Sequence, residues 1–131
     1  MGWQNNQDFD EIIFRLNKPM NEPLKILFIC SQNRWRSLTA EKMYEGFQGY
    51  IVRSAGTEQN ARIRVNEGHI GWADLIFVME KRHKERLEDK FPAALTGKKL
   101  ICLHIDNDYQ FMDRNLQDVL RERLKPYIEV P

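Results

Sequence analysis

The chain has 131 residues, the length of one compact domain that can bury a core of its own. Its 20 basic and 19 acidic residues nearly cancel, so the net charge of +1 argues against a protein that coats nucleic acid. With 42% hydrophobic and 30% charged residues the composition is globular, and the longest apolar run, residues 26–30, is too short to span a membrane.

The first 23 residues differ from the rest of the chain. They begin with polar residues and end in two prolines, Pro19 and Pro23, and residues 10–16 could form two helical turns with an apolar side. We interpret residues 1–23 as an N-terminal extension that packs weakly on the core. The compact domain is expected to occupy residues 24–131.

From residue 24 onward, apolar strands alternate with helices. Strands are predicted at residues 24–30, 50–54, 75–79 and 100–105. Helices are predicted at residues 37–47, 62–72 and 80–90, and after an N-cap at Asp113. This order predicts a single three-layer α/β domain with a four-stranded parallel sheet and helices on both faces. Ligands bind such sheets at the carboxyl ends of the strands, where the first loop follows Cys30.

The charge run at residues 80–86 reads Glu-Lys-Arg-His-Lys-Glu-Arg. Such a run could bind a phosphate-rich polymer, but it is more typical of one solvated helix face. His69, His83 and His104 are scattered and lack the spacing of metal ligands. We therefore expect a solvent-exposed helix here and no metal site.

The loop after the first strand carries the chemistry, and residues 30–37 read Cys-Ser-Gln-Asn-Arg-Trp-Arg-Ser. A helix N-terminus presents unpaired peptide N–H groups and positive potential, which favour a bound anion. A thiol at such an end, beside an arginine, tends to ionise, and Arg36 can hold two oxygens of a phosphate. Ser37 can donate to the sulfur. This pattern predicts that Cys30 is a nucleophile aimed at a tetrahedral oxyanion; the alternative is an inert buried cysteine.

Residues 26–41, Ile-Leu-Phe-Ile-Cys-Ser-Gln-Asn-Arg-Trp-Arg-Ser-Leu-Thr-Ala-Glu, resemble the signature of the low-molecular-weight protein tyrosine phosphatase family. Residues 52–57 resemble the second strand and turn of that family, residues 73–80 its third strand, and residues 103–109 its general-acid loop. The resemblance covers about residues 24–126 and indicates a short, divergent member of bacterial type.

The resemblance implies a two-step reaction in which Cys30 attacks phosphorus to form a phosphocysteine, which water then hydrolyses. An acid would protonate the leaving phenolate in the first step and then activate the water in the second. Arg36 and the loop amides would hold the phosphate oxygens, so no metal or other cofactor is implied. Asn33 and Ser54 match residues that support the loop. The implied substrate-binding residues are Ser31, Gln32, Asn33, Arg34, Trp35 and Tyr109.

The expected partners follow from the same resemblance. They are a phosphorylated protein, with phosphotyrosine as the first candidate, or a small phosphomonoester. Inorganic phosphate or sulfate is expected to occupy the loop. Neither a membrane nor a nucleic acid is an expected partner.

The proton donor is the main departure from the family. Where the family has an aspartate in an Asp-Pro-Tyr-like context, alignment on Ile105 and Tyr109 places Asn107, and an amide cannot donate as a carboxylic acid does. Asp106 and Asp108 flank it, and we favour Asp108 because it directly precedes Tyr109. If neither reaches the substrate, activity should be weak and should favour good leaving groups. The alternative interpretation of residues 106–108 is a solvated turn.

Two further departures concern the walls of the cleft. Between Thr57 and Trp72 the chain is shorter than in typical members, which leaves the preference for phosphotyrosine open. Trp35, next to an unusual Arg34, replaces a residue that is often a second cysteine, so Cys30 lacks that redox neighbour. The Trp35 ring could stack on an aromatic substrate or serve in packing.

Three other functions are weighed against a phosphatase. Asn107 motivates a phosphate- or phosphopeptide-binding module that has lost efficient turnover. An arsenate reductase needs a relay of further cysteines, whereas the only other one, Cys102, lies in an apolar strand. The third alternative is a redox or interaction protein that uses Cys30 as a sensor thiol. Two cysteines and no visible signal peptide predict a reduced, cytoplasmic protein.

Overall fold

The computed structural model of the protein describes residues 22–131. The predicted helical turns at residues 10–16 lie outside the described residues. Within residues 22–131, no helix combines the length and the apolar character needed to cross a bilayer.

Residues 22–131 form a sheet of four strands, β1 (Leu24–Cys30), β2 (Tyr50–Gly56), β3 (Leu75–Val78) and β4 (Lys99–Cys102). They are all parallel and lie in the order β2-β1-β3-β4. Strands β1 and β3 are the two inner strands, and the connection from β2 to β3 passes over β1. This arrangement confirms the predicted parallel α/β architecture and brings the carboxyl ends of all four strands to one edge.

In the described part of the chain, five helices cover the two faces of the sheet: α1 (Arg36–Met43), α2 (Glu67–Trp72), α3 (Lys81–Lys90), α4 (Pro92–Leu95) and α5 (Arg114–Leu124). Residues of α1 and α5 share one buried core with the sheet, and residues of α2, α3 and α4 contribute to the other. The three predicted layers are therefore present.

Strand β1 lies at the centre of both cores because its side chains alternate between the faces. Ile26 and Phe28 pack toward α1 and α5, whereas Leu27 and Ile29 pack toward α2 and α3. All four side chains are fully buried. A strand buried on both faces is the reason that the sequence of β1 is continuously apolar.

Strand β2 runs two residues past its predicted end, to Gly56, whereas α1 and β4 end early and left-handed backbone follows each of them. Helix α1 stops at Met43 rather than at residue 47, and Gly46 follows with a φ of 78°. Strand β4 stops at Cys102 rather than at residue 105, because His104 adopts a φ of 56°. The chain leaves the sheet at His104, before the predicted acid loop.

The helix predicted over residues 62–72 forms only from Glu67 onward. The side chain of Asn66 accepts from the peptide N–H of His69 at 2.9 Å and so caps its first turn. Before this cap, Arg64 pairs with Gly56 in an isolated parallel bridge. Residues 57–65 form a loop that follows β2. It lies against the loop after β1, because the peptide N–H groups of Glu58 and Arg62 donate to the carbonyl oxygens of Ser31 and Gln32.

Gly56, the last residue of β2, should be intolerant of a side chain. A Cβ atom there would lie 2.5 Å from the carbonyl oxygen of Ser31 and 2.7 Å from the Cβ of Ala61. We expect Gly56→Ala to lower the free energy of unfolding by about 1–3 kcal/mol, since backbone must move. Urea unfolding measures the change.

Gly71→Ala is the matched control, because it adds the same methyl group in α2 with no atom within 4 Å. It should be neutral or stabilise the protein by up to about 1 kcal/mol through helix propensity. Equal losses in the two variants would contradict the close packing at Gly56.

Candidate phosphate-binding and catalytic site

A cleft of about 430 Å³ opens at the carboxyl end of β1. Cys30, the last residue of that strand, is only 3% exposed and lies at its floor. The residues that line the cleft are Cys30, Ser31, Gln32, Arg34, Trp35, Arg36, Glu58, Arg82, Arg86 and Asn107. Four arginines with one glutamate make this cleft a site for an anion.

Two hydrogen-bonding groups contact the sulfur of Cys30. The peptide N–H of Asn33 donates to Sγ at 3.3 Å, and Ser37 Oγ lies 3.0 Å from Sγ. Because the side-chain amide of Asn33 already donates to Ser37 Oγ, the hydroxyl proton of Ser37 is free to point at the sulfur. Negative charge on the sulfur, before attack or as a leaving group, therefore meets two donors.

Asn33 holds the loop in shape from behind the cleft. Its backbone is left-handed, with a φ of 58°, a conformation that asparagine adopts more readily than most residues. Its side-chain amide donates to Ser37 Oγ and Ser54 Oγ, both at 2.8 Å. Ser54 in turn donates to Glu41 of α1. The loop after β1 is thus tied to both β2 and α1.

The guanidinium of Arg36 is buried, with 1% of the residue exposed, and is fixed by three partners. Nη1 donates to the carboxylate of Glu80 and to the carbonyl oxygen of Ile105 at 2.9 Å, and Nη2 lies 3.5 Å from Ser31 Oγ. A buried cation requires such pairing. Arg36 is therefore oriented before any ligand arrives.

Glu80 is the anionic partner of two arginines. Arg36 and Arg82 both contact its Oε2, and Arg82 also donates to Oε1 at 3.3 Å. Burial opposes ionisation of Glu80, but the hydrogen bonds from Arg82 and Arg36 outweigh it and lower the pKa to about 2. The carboxylate is therefore charged at any physiological pH.

His83 positions the hydroxyl of Ser31. The peptide N–H of Glu80 donates to His83 Nδ1 at 3.0 Å, so the proton of the neutral ring lies on Nε2, which donates to Ser31 Oγ at 2.9 Å. Burial, together with Arg36 and Arg82, lowers the pKa of His83 to about 3. His83 is thus a neutral donor and cannot act as a base toward Ser31.

The structure brings most of the predicted loop residues together. Ser31, Gln32, Arg34 and Trp35 line the cleft with Cys30 and Arg36, whereas Asn33, Ser37 and Ser54 lie behind it. Trp35 is 42% exposed, so its ring stands at the mouth of the cleft and is not part of the core.

The residues of the predicted acid loop, 106–109, have different surroundings. Asn107 lines the cleft, whereas Asp106 and Asp108 are exposed and are not among its lining residues. Tyr109 packs against the core beneath α1 and α5 and does not line the cleft either. Either aspartate reaches a bound substrate only if this loop moves.

One wall of the cleft, formed by residues that follow β2 and β3, was not predicted from the sequence. Glu58 and Arg86 form an ion pair in the cleft, and Arg82 lies beside them. The predicted solvated face of α3 holds for Lys81 and Glu85, which are exposed, but not for His83, which is buried. One signal was available, because the charge run starts directly after a parallel strand, at the edge where ligands bind.

Within residues 22–131, no group of three or more His, Cys, Asp or Glu side chains is arranged to hold a metal ion. Cys102 is half-buried at the end of β4, with its Sγ 3.6 Å from His104 Nδ1. Strand β3 separates β4 from β1, so Cys30 and Cys102 lie on strands about 10 Å apart. A direct disulfide needs Cα atoms within about 7 Å, which this placement excludes.

No protein-family model matches the sequence, and no curated protein matches it. Solved structures do match. The YwlE arginine phosphatase from Geobacillus stearothermophilus is 22% identical, with a TM-score of 0.61 over 80% of this chain and 88% of that chain. The tyrosine phosphatase Wzb from Escherichia coli, solved with phosphate, is 21% identical, with a TM-score of 0.59 over 79% and 92%.

A third similar structure is the tyrosine phosphatase AmsI from Erwinia amylovora, at 19% identity and a TM-score of 0.59 over 79% of this chain and 89% of that chain. These similarities confirm, at the level of the fold, the predicted resemblance to the low-molecular-weight protein tyrosine phosphatases. The chain spans most of the length of each of these proteins.

The lowered pKa of His83 predicts that stability falls in mild acid. The unfolded chain binds a proton at His83 below about pH 6.5, whereas the folded protein binds it only near pH 3, so stability is lost as the pH falls between these values. Between pH 7 and pH 5 the loss should be about 2 kcal/mol. His83→Gln, which keeps a side chain suited to the first turn of α3, should remove most of it.

His69→Gln is the matched control. His69 Nδ1 accepts from the peptide N–H of Asn66 at the start of α2, just as His83 Nδ1 accepts from that of Glu80 at the start of α3. Burial and, to a smaller extent, the charge of Arg53 lower the pKa of His69, but this residue is partly exposed. Urea unfolding at both pH values should show a smaller effect for this variant. An effect as large as that of His83→Gln would contradict the assignment.

Proposed function

We propose that the protein is a phosphatase that hydrolyses phosphate monoesters through a phosphocysteine on Cys30. The observation that carries this proposal is the position of the Cys30 sulfur at the floor of an arginine-lined cleft, beside the buried and braced guanidinium of Arg36. A nucleophile and a fixed cation at the end of a parallel strand suit phosphoryl transfer.

In the first step, the thiolate of Cys30 attacks phosphorus, the P–S bond forms and the bond to the leaving oxygen breaks. Arg36 and the peptide N–H groups of the loop donate hydrogen bonds that stabilise the negative charge on the remaining phosphate oxygens. These groups supply the positive field, so the proposal requires no metal or other cofactor. In the second step, water attacks the phosphocysteine and the thiolate leaves, with Ser37 donating to the sulfur.

The substrate is proposed to be a phosphorylated tyrosine of a protein, or a similar small aryl phosphate. Among the similar structures are both an arginine phosphatase and tyrosine phosphatases, so the cleft itself must discriminate. The exposed ring of Trp35 at the mouth favours an aromatic leaving group. Arg34, Arg82 and Arg86 line the same cleft and disfavour a guanidinium. Inorganic phosphate and sulfate should bind in the loop as competitors.

Asp108 is proposed to protonate the leaving oxygen in the first step, with Asp106 as the second choice. Both lie on the exposed loop that carries Asn107 into the cleft, so a short movement of that loop is part of the proposal. A cytoplasmic location also belongs to it, since Cys30 must remain a free thiol to attack phosphorus.

A binding module is the second candidate, and the position of Asn107 favours it. An amide stands in the cleft where the resemblance implies the carboxylic acid, so the site could hold a phosphorylated peptide without turning it over efficiently. A relay of the arsenate reductase type is disfavoured, because Cys30 and Cys102 lie too far apart for a direct disulfide.

Hydrolysis of p-nitrophenyl phosphate tests the nucleophile. We expect Cys30→Ser to abolish turnover and Arg36→Lys to lower kcat/KM by at least about 100-fold, because a lysine cannot reproduce the fixed fork of the guanidinium. Cys102→Ser, the same change at the other cysteine, should retain activity. Hydrolysis that survives Cys30→Ser would refute the phosphatase proposal. Tight phosphate binding without turnover or covalent labelling of the wild type would favour the binding module.

The proton donor is tested by comparing two esters. Asp108→Asn should slow the cleavage of phenyl phosphate by about 10²-fold or more, and that of p-nitrophenyl phosphate much less, because a good leaving group needs little protonation. Asp106→Asn provides the comparison on the same loop. Equal sensitivity of the two esters would argue against Asp108 as the donor.

A further inference from the structure

We propose that Glu58 is the general base that activates water for hydrolysis of the phosphocysteine, a role that rests on the phosphatase function proposed above. The leaving group and the water that replaces it must both approach phosphorus opposite the sulfur, from the mouth of the cleft. Of the described residues that line this cleft, Glu58 is the one with a carboxylate.

Backbone hydrogen bonds fix Glu58 beside the nucleophile. The peptide N–H of Thr57 donates to the carbonyl oxygen of Cys30 at 3.0 Å, and that of Glu58 donates to the carbonyl oxygen of Ser31 at 2.9 Å. The segment after β2 therefore runs directly along the start of the phosphate loop. Cys30 lies at the floor, whereas the side chain of Glu58 is 32% exposed, nearer to solvent water.

Other carboxylates near the site are less suited to the task. Both oxygens of Glu80 are engaged by arginines, and it does not line the cleft. Asp106 and Asp108 lie outside the lining and reach the cleft only when their loop moves, and the Asn107 amide beside them has no basic site for a proton. Glu58 is therefore the carboxylate that lines the cleft without any movement of the chain.

Arg86 orients Glu58 as a base. Its Nη1 contacts Oε2 of Glu58, which leaves the other carboxylate oxygen, Oε1, to face water. Among the described residues no hydrogen bond to Oε1 is formed, so this oxygen can accept a proton from water. Glu58 is thus oriented for the second step, whereas the first step keeps Asp108 as its proposed proton donor.

The proposed step is balanced in atoms and charge. The oxygen of water forms a bond to phosphorus while the P–S bond breaks, and the electron pair of that bond returns to Cys30 as the thiolate. One proton of the water passes to Oε1 of Glu58 and then to solvent through the exposed mouth of the cleft. Inorganic phosphate leaves and the enzyme is restored.

Rapid-mixing kinetics with p-nitrophenyl phosphate separate the two steps. We expect Glu58→Gln to release about one equivalent of p-nitrophenol in a burst and then turn over about 10²-fold more slowly than wild type. Its kcat/KM should change less than about threefold, because that ratio reports the steps up to formation of the phosphocysteine. Intact-protein mass spectrometry should detect the phosphorylated enzyme, and Glu88→Gln, an exposed control on α3, should behave as wild type.

Chemical rescue distinguishes a base from a structural residue. Formate added to Glu58→Ala should restore part of kcat without changing kcat/KM, since a small carboxylate can occupy the vacated position. Equal losses in kcat and kcat/KM, with no burst and no rescue, would overturn the role of Glu58 while leaving Cys30 as the nucleophile. Activity that survives Cys30→Ser would instead refute the phosphatase function itself.

Discussion

A guanidinium withdrawn from water is the constraint around which this site is built. Arg36 is buried where a phosphate would be held, and a buried charge is tolerated only when it is paired and hydrogen-bonded. Glu80, the residue before α3, supplies the pairing, and the carbonyl oxygen of Ile105 supplies a second acceptor. One side chain therefore links the loop after β1 to the ends of two other segments, and its orientation does not depend on a ligand.

A series of hydrogen bonds extends from Arg36 through Glu80 and His83 to Ser31. The carboxylate of Glu80 contacts two arginines, and its peptide N–H fixes the tautomer of His83. His83 then fixes Ser31, which lines the cleft. Because each donor and acceptor in this chain of contacts has one assigned direction, the cleft is preorganised electrostatically, which is the property that stabilises developing charge most effectively.

The fold and the phosphate loop were predictable because their signals are local. The apolar run of β1 and the spacing of Cys30 and Arg36 are each read from a few neighbouring residues. The walls of the cleft were not predictable in this way, since Glu58 and Arg86 meet only through the order of the strands and their register. The hydrogen bond between His83 and Ser31 likewise joins residues that are 52 positions apart in the sequence. The ends of α1 and β4 were misplaced because left-handed turns decided them and hydrophobic periodicity did not.

The loop that carries Asn107 is attached at both ends to one turn of α1. Arg36 holds the carbonyl oxygen of Ile105, and the hydroxyl of Thr39 accepts from the peptide N–H of Met112 at 2.9 Å. These two anchors are separated by about 5 Å along the helix axis. Closing the intervening segment into a loop therefore costs little conformational entropy, and this entropic cost rises only slowly with the length of the segment. A change in the length or charge of this segment would therefore alter one wall of the cleft while the sheet and the position of Cys30 remain as they are.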